Sequence, residues 1–275
     1  MPRKFAVVTD STADLPDEWR DRYGIEVVPL KVLFGKETFR DRVDITDEEF
    51  FRRLAVSTTL PTTSAPSPGE FADVYRRLAQ HYEGCISIHI GAQLSATAQA
   101  AQVGASSVEE FKVNVIDSLT VSMPIAFLCR VAAECSTLDE ATAAVEQRVP
   151  KGRVLALLDT LRYLEMGGRL SRAQAMIGTM LDLKPLLIVK DREIKPVDRV
   201  RTRSRALTRM VEFFKTELPV ERVAVMHAQA ADEAARIAER LRSELPGEEI
   251  SEGQIGCVLG THTGPRAMGI VYIKK

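Results

Sequence analysis

The first half of the chain alternates short β-branched runs with stretches of helical period, and this alternation is the strongest constraint on its fold. Residues 5–9, 25–34, 85–90 and 113–116 are dense in Val and Ile, as buried strands require. Between them, helical spacing marks 14–23, 46–56, 67–81, 95–111 and 120–133. Thr46 with Glu49, and Ser67 with Glu70, have the spacing of capping boxes. Parallel strands need a crossover, and helices supply it. The pattern therefore predicts an α/β fold whose N-terminal part is a mainly parallel sheet with helices on both faces.

Val149-Pro150-Lys151-Gly152 interrupts the alternation and predicts a boundary, giving an N-terminal α/β domain over 1–150 and a C-terminal α/β domain over 151–275. The second part reads as a strand at 154–158 and two helical stretches separated by Gly167-Gly168. A hairpin follows, 183–190 with 193–200, turning at Asp191-Arg192. Leu207, Met210, Val211 and Phe214 mark a helix, 223–227 a strand, and Ala234, Ile237, Ala238 and Leu241 another helix. Two last strands, 255–259 and 269–273, are expected to be joined by a Gly-rich turn.

Charge narrows the function classes. Lys plus Arg is 37 against 38 for Asp plus Glu, a net charge of -1, so no overall basic field holds a nucleic-acid backbone. Arg199, Arg201, Arg203 and Arg205 alternate without interleaved aromatics, which reads as a solvated face with one Arg turned inward. A DNA-binding module is therefore not expected. The cysteines, Cys85, Cys129, Cys135 and Cys257, form no C-x-x-C pair, and three lie in apolar runs. This fits a reduced, cytoplasmic setting with buried thiols. Neither a signal peptide nor a spanning segment is read from the sequence, so any membrane contact is expected to be transient and made from solution.

Five segments could carry chemistry. Pro61-Thr62-Thr63-Ser64-Ala65-Pro66-Ser67-Pro68 packs hydroxyls between stiff prolines just before a helix, a setting that suits a small anion. Ser67 and Glu70 read as the helix cap, and the segment is either a rigid capped connection or one whose other hydroxyls face a ligand. Ser95 opens a helix after the 85–90 strand, as an N-cap or facing a ligand. Arg169 follows the paired glycines, where it can be aimed at an anion. His262, between two threonines and two glycines in Gly260-Thr261-His262-Thr263-Gly264-Pro265, sits in a tight backbone with several donors. Asp10, after the first strand, reads as a turn residue beside an Asp14 cap, or with Asp117 as a Mg²⁺ site of a phosphate-handling enzyme. No nucleotide-binding glycine loop accompanies them. His81, His89 and His227 show no metal-ligand spacing with His262 or with cysteine, so no metal site and no cofactor are expected.

Together these segments resemble the DegV family, whose members bind fatty acids. The resemblance runs from Val8-Thr9-Asp10-Ser11-Thr12 to Gly260-Thr261-His262-Thr263-Gly264-Pro265. It passes through Thr63-Ser64-Ala65-Pro66-Ser67-Pro68, Leu94-Ser95, Val115-Ile116-Asp117-Ser118 and Leu161-Arg162-Tyr163-Leu164 with Gly167-Gly168-Arg169. It implies a two-domain α/β protein that is not itself an enzyme, with one long-chain fatty acid held between the domains. Such a protein presents the acyl carboxylate to a fatty acid kinase subunit, which forms the acyl phosphate used in phospholipid metabolism. Carried onto this sequence, Thr63 and Ser95 would hydrogen-bond the carboxylate and His262 would complete the pocket. Arg169 and Arg201 match the family's nearby basic residues. Ala65, Ala96, Ala98 and Arg266 depart from the family pattern.

Overall fold

The computed structural model describes residues 3–170 and 183–275. The parallel sheet forms as the alternation predicts. Strands β1 (Phe5–Asp10), β2 (Ile25–Val28), β6 (Gly84–His89) and β7 (Lys112–Asp117) lie in the order β2-β1-β6-β7, every pairing parallel. All residues of β1 and β6 are buried, as expected of central strands covered on both faces. Helices α3 (Pro68–Leu78) and α4 (Thr97–Ala105) cover one face, where Phe71, Tyr75 and Ala101 pack on Ala6, Val8 and Cys85. Helices α1 (Asp17–Tyr23), α5 (Met123–Glu134) and α6 (Leu138–Arg148) cover the other.

The second sheet has the order β10-β9-β8-β13-β11-β12 and is antiparallel except for β11 with β12. Its strands are β8 (Gly152–Leu157), β9 (Lys184–Lys190), β10 (Glu193–Val200), β11 (Val220–His227), β12 (Ile250–Gln254) and β13 (Met268–Lys274). Strand alternation gives it two apolar faces. Leu155, Leu157, Ile270 and Tyr272 face the outer helices α8 (Arg203–Thr216) and α9 (Ala231–Glu244). Val154, Val271 and Ile273 face inward and join one core with Phe127 and Met123 of α5 and Val7 of β1. Helix α5 thus lies between the sheets, in contact with β1 and β6 on one side and β8, β11 and β13 on the other.

The 25–34 run is not one strand. It breaks at Pro29 into β2 and β3 (Lys31–Phe34), which belong to different sheets. Strand β3 pairs antiparallel with β4 (Glu37–Arg40) and β5 (Thr62–Ser64), neither of which the periodicity revealed, and this small sheet carries Thr63 opposite Val32. The 255–259 strand is also absent. The sheet edge is β12, and residues Cys257–Thr263 form a short helix, α10. The hairpin is as expected: Asp191 and Arg192 both have positive φ, 53° and 64°, as a tight two-residue hairpin turn requires. Of the helices flanking Gly167-Gly168, the first is α7 (Arg162–Met166), and the second expectation falls outside the described residues. Arg203 is the inward arginine of the alternating run, paired with Asp159 and Glu233 at 2.7 and 2.6 Å.

Helices α3 and α4 meet at Gly104, where an added Cβ would stand 2.7 Å from both Phe71 Cβ and Pro68 O. Gly104→Ala should therefore cost roughly 1–3 kcal/mol through overpacking, despite alanine's higher helix propensity. Urea unfolding of the variant checks this. Equal or higher stability would show that the two helices do not meet so closely.

Candidate functional site

The capping box at the head of α3 takes Ser67 and Glu70 out of contention as ligand contacts. Ser67 Oγ accepts from the Glu70 N–H at 3.2 Å, and Glu70 Oε2 accepts from the Ser67 N–H at 2.8 Å. The same carboxylate pairs with Lys31 of β3 at 2.8 Å. The proline-bounded segment is thereby fixed at both ends, and Thr63 projects from β5 toward α10. Ser95 is not the cap of α4. That position is Ala96, which makes no side-chain cap bond, while Ser95 Oγ meets Thr97 Oγ1 at 2.8 Å.

Thr63 Oγ1 lies 2.9 Å from His262 Nε2, across 199 residues of sequence. Helix α10 reaches this position because Gly260 has no side chain: an added Cβ would stand 2.7 Å from Phe51 Cζ and 2.8 Å from Phe50 Cε1 on α2 (Asp47–Val56). Two further glycines let α7 dock on α10. A Cβ on Gly167 would collide with His262 Nδ1, and one on Gly264, which has φ 73°, would collide with the Tyr163 ring. The glycines of two separate sequence motifs are thus contact points between the same two helices. Arg169 donates from Nε to Leu94 O at 3.2 Å and from Nη1 to Gly167 O at 2.6 Å, tying the segment after the glycines to the loop that holds Ser95.

These side chains share one cavity of about 110 Å³. Thr63, Ser95, Arg169 and His262 line it, and Thr63, Ser95 and His262 are each half-buried. Most of the remaining wall is aliphatic and buried, including Leu30, Ile90, Val121, Val154 and Leu187. Val154 and Leu187 come from the mixed sheet, and Leu30, Ile90 and Val121 from connections that follow the strands of the parallel sheet. The cavity is therefore a greasy chamber with a cluster of donors in its wall, the arrangement an amphipathic ligand with a small polar head needs. Arg201 is not in it: it lies exposed beyond the end of β10.

The protonation of His262 follows from its surroundings. Burial, and then the neighbouring Arg169 charge, lower its pKa from 6.5 to about 4, so the ring is neutral at pH 7. Its Nδ1 is buried without a hydrogen-bond partner. A proton there would be a stranded donor, so the proton belongs on Nε2, which then donates to Thr63 Oγ1. The Thr63 hydroxyl hydrogen is left to donate to an anion. The ring thus orients a neutral donor and adds no charge of its own.

The carboxylates read as a possible Mg²⁺ pair do other work. Asp10 is fully buried and caps a short turn, accepting from the Thr12 N–H and hydroxyl. Its second oxygen faces His89 Nδ1 at 3.0 Å and accepts from the Ile90 N–H at 3.0 Å. Behind His89 the chain of contacts continues through Ser87 to Tyr75. Asp117 accepts from the Ala92 and Leu119 N–H groups. Asp14 does not cap α1. It accepts from Ser122 Oγ at 2.6 Å and from the Gly256 N–H at 2.9 Å, stapling the start of α5 to the segment leading into α10. Cys85, Cys129 and Cys257 are buried, and all four cysteines are free.

The depressed His262 pKa fixes a sign for stability. Between pH 6.5 and 4 the unfolded chain binds a proton that the folded chain refuses, so this group's contribution is present above 6.5 and is lost as pH falls through 4. At about 1.4 kcal/mol per pKa unit the loss is on the order of 3 kcal/mol. Urea unfolding of the parent and His262→Gln at several pH values should show the variant losing less stability on acidification across this window. A difference that stays constant with pH would contradict a buried neutral ring.

Comparison with known proteins agrees with this architecture. Residues 4–275 match a family model described as uncharacterised protein, DegV family. The chain is 38% identical to the DegV domain-containing protein SCO2569 of Streptomyces coelicolor, covering 100% of both chains. It is similar to the crystal structure of DegV, a fatty acid binding protein from Bacillus subtilis, at 35% identity and a TM-score of 0.90, over 99% of this chain and 100% of that one. A DegV family protein from Thermus thermophilus, whose structure is described for its fatty acid binding, matches at 33% identity and a TM-score of 0.90, over 98% and 99%. By fold and by sequence over essentially its whole length, the chain belongs to the DegV family.

Proposed function

We propose that this protein is a carrier that holds one long-chain fatty acid between its two sheets, with the carboxylate against Thr63 and Ser95. It would offer that carboxylate to a fatty acid kinase partner, which makes the acyl phosphate. One observation carries the reading most: four polar side chains from distant segments meet on one aliphatic cavity. The fatty acid binding described for the Bacillus subtilis and Thermus thermophilus relatives supports it.

The energetics fit. A chain of about 14 methylenes gains roughly 0.8 kcal/mol for each one buried, so the tail supplies most of the affinity, less the cost of association. Ligand pockets commonly reach several hundred Å³. The chamber is tighter than that, so a full-length tail must part the half-buried side chains in its wall, Ile194 and Leu259 among them. The carboxylate leaves water and needs donors in exchange. Thr63 and Ser95 supply neutral ones, and Arg169 adds charge at the edge of the cluster while already bound to two carbonyls. A head group held mainly by hydroxyls at half-buried positions stays within reach of a second protein.

Native mass spectrometry of the purified protein should find close to one fatty acid per chain. Thr63→Ala and Ser95→Ala should each weaken binding by roughly 10- to 100-fold, the worth of a hydrogen bond to a charged group, with thermal unfolding little changed. If both variants bind as tightly as the parent, the head-group assignment is wrong. A protein that carries no lipid, and gains no thermal stability from added palmitate or oleate, would rule out the carrier reading itself.

A further inference from the structure

A second recess opens away from the aliphatic cavity and shares no lining residue with it. It is a polar cleft of about 600 Å³ at the carboxyl ends of β1 and β2, closed on one side by β12 and bordered by Asp14, Asp41, Arg42 and Asp47. Asp41 lies on its wall, 1% exposed, and neither carboxylate oxygen makes a well-formed hydrogen bond. Burial opposes its charged form, while the Arg42 charge, the Ser11 hydroxyl and the Cys257 thiol are close enough to favour it. A buried carboxylate with both oxygens unmatched is uncommon, because desolvation is costly unless something replaces the water.

The surroundings say what that replacement is. One oxygen of Asp41, one of Asp47 and the Cys257 sulfur all lie within 4.8 Å of one another. Three carboxylates, Asp14, Asp41 and Asp47, face one cation, Arg42, which lies 3.7 Å from Asp14 and 3.1 Å from Asp47 Oδ2. Arg42 also donates to Gln254 O at 3.1 Å. It grips both oxygens of Asp47, Oδ2 at 3.1 Å and Oδ1 more loosely at 3.5 Å, and Oδ1 also accepts from the Cys257 thiol at 3.4 Å. Asp14 is already bound to Ser122 and Gly256, whereas neither oxygen of Asp41 has a partner in good hydrogen-bond geometry.

We propose that Asp41, Asp47 and Cys257 form a binding site for a zinc-class divalent cation. Two carboxylate oxygens and one thiolate make a three-ligand set of the kind zinc accepts, with the fourth position open to the cleft for water. A purely hard ion such as Mg²⁺ prefers all-oxygen ligands and would leave the sulfur unused. Binding breaks the Cys257 S–H bond, forms the metal–sulfur bond and releases the proton to solvent, so no redox partner is needed. Arg42 would hold Asp47 in place, mainly through its closer contact with Oδ2. Because Cys257 begins the helix that carries His262, the ion would also pin α10.

Cobalt(II) reports the ligands directly, since thiolate ligation gives an intense near-ultraviolet charge-transfer band. Titrating the metal-free full chain with Co²⁺ should produce that band at about one equivalent, and Zn²⁺ should abolish it. Cys257→Ser should remove the band, and Asp41→Asn should weaken Zn²⁺ binding at least tenfold in equilibrium dialysis. A band that survives Cys257→Ser, or Zn²⁺ affinity no tighter than millimolar for the parent, overturns the proposal. Should Cys257→Ser misfold, the parent's own cobalt spectrum settles the point: a Co²⁺ adduct at one equivalent without the thiolate band would overturn the proposal.

Discussion

The structure depends on a shared apolar core between two sheets of different kinds. Among the described residues, the inner face of the mixed sheet is covered chiefly by α5, which also packs on the parallel sheet. It buries Val154, Val271 and Ile273 against α5 and the parallel sheet's side of the molecule. Helix α5 is correspondingly apolar over its first two turns, with Met123, Ile125, Phe127 and Leu128 each at most 1% exposed, as a helix between two sheets requires. Separating the sheets would expose both faces of this layer, so the two halves are bound into one stable unit. The aliphatic cavity belongs to the same layer: it is lined by Ile90 beyond the end of β6, by Val121 just before α5, and by Val154 and Leu187 of the mixed sheet.

Polar function is confined to places where this core meets connecting segments. Helix α10 is central to both sites. Its glycines allow close approach to α2 on one side and α7 on the other, and that places His262 against Thr63. At its start, Cys257 lies against Asp47 of α2. A seven-residue helix of Cys, Val, Leu, Gly, Thr and His has little intrinsic helical stability, and packing maintains it. Geometry at the two sites is therefore linked through one small rigid element.

That origin in packing explains what the sequence did and did not disclose. The parallel sheet, the α3 capping box and the 191–192 hairpin turn were legible because each depends on local periodicity or local turn chemistry. Pro29 was the available clue that 25–34 is two strands, but a continuous apolar run overrode it. Helix α10 was misread as strand and turn because its small residues follow no helical period, their reason being the rings of Phe50, Phe51 and Tyr163. Strand β12, Ile-Ser-Glu-Gly-Gln, is a polar sheet edge and has no buried run to reveal it. Thr63, Ser95, Arg169 and His262 could be singled out from their motifs, and the cavity brings those four together while Arg201 stays outside. The Asp41–Asp47–Cys257 group could not be found from spacing, because its members meet only across 210 residues.

The central claim is the orientation of a fatty acid in the aliphatic cavity. A crystal structure of the protein loaded with palmitate measures it most directly. The account predicts carboxylate oxygens about 3 Å from Thr63 Oγ1 and Ser95 Oγ, with His262 still on Thr63 and the acyl chain running between Val121, Val154 and Leu187. A carboxylate pointing away from Thr63 and Ser95, or a lipid lodged in the acidic cleft by Asp41, would contradict it.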